Sequence, residues 1–235
     1  MSDNLVIGAC DWRHKHWSKS FYPQELPSDW CLGFYSNEFE AVLVPSSRWH
    51  DKSGYRCQGW LDEVNENFRF YVEIPPALSE GDSGRERFIE DMSLLEDALG
   101  GVVLTTRCAS HAPGTDVSGT DVPDSDFRGS DIPDSDIRGP DVTAPCDWFS
   151  DAMPHIPLLS PAAAAQGYQC YSNDDRDIVM VRLYHDLVDK RDARMLLEQA
   201  LREGCGNAQI CIIDSDELRA SDLSQMRQVI EIMGL

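Results

Sequence analysis

Short runs of apolar residues alternate along the chain with stretches whose apolar residues recur every three or four positions. Leu5-Val6-Ile7-Gly8, Ala41-Val42-Leu43-Val44, residues 68–74 and Val102-Val103-Leu104 read as buried strands. Pro45 stops the second and Pro75-Pro76 the third, because proline cannot donate to a sheet ladder. A helix is expected from Ser28, with Leu32, Tyr35 and Phe39 on one face. A second is expected from Ser83, where Ser83-Gly84-Arg85-Glu86 fits a capping box. There Phe88, Met92, Leu95 and Leu99 recur at helical spacing, and Gly100-Gly101 forms the stop. The alternation resumes late in the chain. A strand over 178–184 precedes a helix over about 189–203, which Gly204 ends; a strand over 209–213 precedes a helix over 221–233.

Strands that are apolar on both faces imply a parallel sheet covered by helices, since βαβ crossovers bury both sides. The expected class is therefore α/β, as a barrel or a doubly wound sheet. No Gly-rich phosphate-binding motif follows any strand, which weakens the nucleotide-binding open sheet.

Charge narrows the partners. The 235 residues hold 41 Asp and Glu against 20 Lys and Arg, a net charge of −21. Such a surface repels phosphates, so nucleic acid and anionic membranes are disfavoured. No apolar run approaches the roughly 20 residues of a membrane span. The opening Met-Ser-Asp-Asn has no basic segment leading into an apolar one, so a cytoplasmic protein is expected. The eight cysteines contain no C-x-x-C pair, which predicts reduced thiols and no tetrahedral zinc site.

Residues 114–143 are a repeat of period five in which six units share a small residue or proline, then Asp, then Val, Ile or Phe. They carry eight Asp and two Arg, and so six of the 21 excess negative charges. The units resemble the pentapeptide-repeat consensus, whose family folds as a four-sided β-helix. Six units make only one and a half coils, and Pro123, Pro133 and Pro140 remove backbone donors. The segment 110–145 is expected to be a flexible acidic loop inserted in a single domain spanning 1–235. A short ordered coil and calcium binding are the competing readings, the second without an EF-hand pattern to support it.

The N-terminal third carries a further likeness. Ile7-Gly8-Ala9-Cys10-Asp11-Trp12 is followed by His16-Trp17, Phe21-Tyr22-Pro23, Leu26-Pro27, Leu32, Tyr35 and Phe39. This resembles the opening of the DUF72 (YecE-like) family. Phe68-Arg69-Phe70-Tyr71-Val72-Glu73-Ile74-Pro75 is similar to that family's third strand, Leu99 to Leu104 to its fourth, and Ile178 to His185 to its late Arg-bearing strand. The resemblance implies a TIM-barrel-like parallel β/α barrel of unestablished biochemical function. It also implies departures. The family's Glu and Asn after the second strand are absent from Val42 to Trp49, its third-strand Lys is Glu73, and its late asparagine pair is Asp214-Ser215-Asp216. Strands five and six have no clear counterpart between 106 and 176, so a barrel irregular or incomplete in its middle strands is expected.

Barrel enzymes keep their chemistry at the C-terminal ends of the strands. Residues just past the expected strands are therefore the candidates. Asp11, Trp12, His14, His16, Trp17 and Arg182 are candidate ligand-binding residues, and Glu73, Arg182, His185 and Asp214 candidate catalytic ones. Glu73, His185 and Asp214 could hold a divalent metal. The competing reading is structural: Arg182 pairs with Glu73 or Asp214 inside the barrel, since buried charges need partners. The functional expectation is a small-molecule or protein binding role with the family pocket partly lost. The alternative is a metal-dependent phosphoester hydrolase. The acidic insert points to a basic protein partner.

Overall fold

The computed structural model describes residues 5–48, 57, 59–74, 78, 84–104, 147–184, 190–215 and 217–234. The chain divides into two units, residues 1–105 with 146–235, and residues 106–145. The second unit, with the repeat and the expectation of a flexible loop, lies outside the described residues.

Eight strands close a barrel in sequence order. They are β1 (Val6–Cys10), β2 (Ala41–Val44), β3 (Arg69–Glu73), β4 (Leu99–Val103), β5 (Leu158–Ala165), β6 (Tyr168–Ser172), β7 (Val179–Leu183) and β8 (Ile210–Ile213). Closure is through parallel pairing of β1 with β8, with Val6 opposite Ile210. The helices are α1 (Trp17–Ser20), α2 (Cys31–Glu38), α3 (Trp60–Glu63), α4 (Arg85–Ser93), α5 (Asp147–Ala152), α6 (Lys190–Glu203) and α7 (Ala220–Met233). Among the described residues no helix is long and apolar enough to cross a membrane.

Every strand pair is parallel except two: β6 runs antiparallel to both β5 and β7. The reversal comes from a two-residue turn, Gln166-Gly167, which pairs Ala165 with Tyr168. Gly167 has φ +91°, a left-handed conformation that glycine alone adopts freely. The barrel is thus complete in its middle but irregular there, as expected, a hairpin standing where an all-parallel barrel would have a β-α-β crossover.

Period-two alternation sorts the strand side chains. One set (Ile7, Ala9, Val42, Val44, Phe70, Val72, Val102, Cys170, Val179, Val181, Cys211, Ile213) joins the helices in the larger apolar core. The other set (Cys10, Ala41, Leu43, Tyr71, Val103, Leu159, Tyr171, Met180, Ile210, Ile212) forms a second, smaller core that fills the barrel. Buried aromatics tie the two ends of the chain together. The Trp17 indole N–H donates to the Leu218 carbonyl at 2.7 Å. The Tyr35 hydroxyl accepts from Ala9 N–H and donates to the Ala41 carbonyl, clamping β1 to β2. That close approach explains Gly8, where a Cβ would lie 2.2 Å from the Ala41 carbonyl oxygen.

Three expectations change. The helix expected to run to Leu99 ends at Ser93, and Leu99-Gly100-Gly101 belongs to β4. The glycines serve packing rather than a helix stop, since a Cβ on Gly100 would meet the Tyr71 ring at 2.7 Å. At the start of that helix the N-cap is Gly84, with no side-chain cap; Ser83 lies outside the described residues. Finally, Cys170 on β6 and Cys205 just past α6 form a disulfide, with Cα atoms 6.0 Å apart, where reduced thiols were expected. Their 35-residue separation hides the pair from any spacing rule, because strand–helix packing makes the contact. Cys10, Cys31, Cys57 and Cys211 are free thiols.

Candidate functional site

The parity that fills the barrel also brings its polar end together. Cys10, Glu73 and Arg182 follow the inward positions of β1, β3 and β7, and Asp214 stands two residues beyond inward-facing Ile212. Because β6 runs backwards, its second residue, Gln169, lies opposite Arg182 at this same mouth. Glu73, Gln169 and Arg182 are all buried, an arrangement tolerable only with partners.

Arg182 supplies them. Its Nη1 donates to Glu73 Oε1 at 2.5 Å. Its Nε and Nη2 grip Asp214 Oδ2 at 3.0 and 2.7 Å. The second oxygen of Glu73 accepts from the Ser46 backbone N–H at 2.7 Å, so both of its oxygens are bound. Burial works against the guanidinium charge, but the neighbouring acidic groups outweigh it and hold Arg182 firmly protonated. The Tyr184 ring lies 5.1 Å below the guanidinium carbon, a cation–π contact. Beside it, the Tyr171 hydroxyl donates to Gln169 Oε1 at 3.0 Å and faces the Tyr184 hydroxyl at 3.3 Å. The Cys10 thiol lies 3.8 Å from Arg182 Nη2. Burial first, then Asp214, pushes that thiol well up, so it is neutral at pH 7 and a poor nucleophile.

Asp214 differs from Glu73 in one respect. Its side chain is 29% exposed, and only Oδ2 is engaged among the described residues. Oδ1 is left as a carboxylate oxygen whose orientation Arg182 fixes.

The loop after β1 borders this ensemble. Asp11 has φ +70°, and its Oδ1 accepts from the N–H groups of Trp12 and Arg13, which turns the chain sharply off the strand. The His14 ring lies tilted against Trp17 with ring centroids 4.4 Å apart, and its buried Nε2 has no hydrogen-bond partner among the described residues. Burial pushes its pKa down, against the opposing pull of Asp11, the Cys10 and Asp11 backbone and Asp214.

The expected residues thus separate into groups. Glu73, Arg182 and Asp214 meet, with Asp11 and His14 close enough to act on the same groups electrostatically. Trp12 and Trp17 are 1% and 0% exposed and pack in the outer core, Trp12 edge-on to Trp60. His16 lies on the surface and pairs with Glu217 at 3.2 Å. His185 lies outside the described residues. Among the described residues no group of three or more His, Cys, Asp or Glu could hold a metal ion. Sequence reasoning missed Gln169, Tyr171, Tyr184 and the Ser46 amide. Tyr184 was accessible as the next inward position after Arg182; Gln169 required knowing that β6 is reversed.

Residues 6–109 match the model of the family described as Protein of unknown function DUF72. No curated protein matches the chain. Among solved structures, the chain is similar to a DUF72 family protein of Enterococcus faecalis V583, at 13% identity and TM-score 0.51, over 96% of this chain and 95% of that one. A DUF72 family protein of Thermotoga maritima MSB8 matches at 10% identity and TM-score 0.46, over 98% of this chain and 99% of the other. At such identities the first likeness speaks for the fold. With the family's model over residues 6–109 and the barrel of a solved relative over nearly the whole length, the chain is DUF72-like in sequence through its first half and in its TIM-barrel-like architecture.

Proposed function

We propose that the barrel mouth binds a small neutral or cationic molecule bearing hydroxyl or amino donors, with Asp214 Oδ1 as the acceptor that orients it. The observation that carries this reading is the two-handed hold of Arg182 on Asp214 Oδ2, which leaves a fixed carboxylate oxygen beside solvent. Charge supports the ligand class. Among the described residues, the carboxylates Asp11, Glu73 and Asp214 outnumber Arg182, which is itself committed to two of them, so an anionic ligand meets repulsion at the mouth. Glu73 and Arg182 act as the frame: each is buried and committed to protein partners. The alternative expectation, metal-dependent phosphoester hydrolysis, has less behind it, because a cation between Glu73 and Asp214 would compete with Arg182 for the same oxygens.

A thermal-shift panel of polyols, sugars, primary amines and phosphate esters tests the reading. A hydroxyl or amine compound should raise the melting temperature of the native chain. In Asp214→Asn the apparent affinity should fall roughly tenfold, about the value of a hydrogen bond to a charged group. A response confined to phosphate esters, or one unchanged in Asp214→Asn, would remove the proposal.

A further inference from the structure

A second surface carries chemistry unrelated to the mouth. Trp30 closes the short 3₁₀ turn Ser28–Trp30 ahead of α2, and its side chain is 67% exposed, unusual for an indole. It walls a groove of about 370 Å³ together with Leu26, Gly33, Phe34, Asn37 and Glu63. At its base α2 and α3 approach closely: a Cβ on Gly33 would lie 3.0 Å from the Glu63 carbonyl oxygen. Its walls are apolar and aromatic, and its rim is acidic. Glu63 is exposed at the end of α3, with Asp29 near enough to repel it and Arg13 as the opposing cation.

We infer that this groove is a docking site for a basic peptide segment of a partner protein, with one Lys or Arg laying its stem against Leu26 and Phe34, its charge over Trp30 and toward Glu63. The volume suits one or two side chains rather than a large ligand, lying near the low end of ligand sites. An aromatic face beside a carboxylate is the arrangement that attracts a guanidinium or ammonium group, while the apolar floor takes its methylenes. Charge decides between partners. A second copy of this chain would bring another net −21 to the interface, whereas a basic segment is attracted by the whole surface and held by the groove.

The test is fluorescence anisotropy of a labelled twelve-residue peptide alternating Arg and Leu in a Gly-Ser background, against the same peptide with Glu for Arg. Binding is measured to the full chain and to Trp30→Ala and Glu63→Gln. Both residues are exposed, so unchanged circular dichroism and melting temperature are expected for the variants. The Arg peptide should bind the native chain, the Glu peptide should not, and each variant should weaken binding about five- to tenfold. Equal binding to the native chain and both variants would overturn the inference, since the peptide is then held elsewhere on the acidic surface. So would no binding at about 1 mM. Self-association of the native chain in sedimentation, lost in Trp30→Ala, would assign the groove to a second copy instead and also overturn it.

Discussion

At the scale of single residues, the mouth is held by pairing rather than by isolated groups. Glu73 tolerates its burial because Arg182 and the Ser46 amide bind both its oxygens. Removing one member of such a set costs about 3–5 kcal/mol, because the other charge is left uncompensated. His14 is the opposite case, a half-buried ring whose inaccessible Nε2 has no partner among the described residues and whose protonation burial opposes. Its folded pKa lies below the ordinary 6.5, so the unfolded chain binds the proton more readily. The stability this contributes is present above pH 6.5 and is lost as pH falls through the folded value. The native chain should therefore lose melting temperature between pH 7 and 5.5 by more than His14→Gln does. Parallel curves for the two across that interval would show that His14 is not the group responsible. Much of this residue-level picture was legible. Glu73, Arg182 and Asp214 each follow an apolar strand at inward parity, and their pairing follows from the cost of burying charge. The indoles of Trp12 and Trp17 were ambiguous, because an aromatic just past a strand reads equally as rim or as core.

At the scale of elements, legibility tracked apolar density. β1, β2, β3, β7 and β8 are short continuous apolar runs; the expected bounds of β2 coincide with the observed ones and the others differ by one or two residues. β5 reads Leu-Leu-Ser-Pro-Ala-Ala-Ala-Ala, with no β-branched residue and only one residue fully buried, so propensity does not mark it. What makes it a strand is its partner, β6, and what joins them is one turn. Gly167 is the residue on which that turn depends. A Cβ there would be strained at φ +91° and would lie 3.1 Å from the Leu196 Cδ1 on α6. Gly167→Ala should destabilise the chain by about 1–3 kcal/mol in urea unfolding. The control is Gly59→Ala, also at positive φ but with open space around it, which should cost less. If the two substitutions cost the same, the packing of α6 on the hairpin is not what the turn protects.

At the scale of the whole molecule, the charge separates from the fold. All eight strands lie outside 106–145, and the barrel closes from the residues on either side of that segment. The repeat within it, residues 114–143, nonetheless carries six of the 21 excess negative charges. Replacing residues 110–145 by a Gly-Ser linker of about eight residues removes roughly one and a half doublings of connection length between β4 and α5. Loop-closure entropy then favours the shortened chain by about 1 kcal/mol. Self-repulsion also falls, and its loss should appear mainly at low ionic strength, where the Debye length reaches about 30 Å. The shortened chain should therefore unfold in one cooperative transition, at a melting temperature equal to or a few degrees above the native one. The rise in melting temperature on going from low to moderate salt should be smaller than in the native chain. A broad, non-cooperative transition would instead make the repeat part of what holds the barrel closed, and the account of a barrel that closes without it would fail.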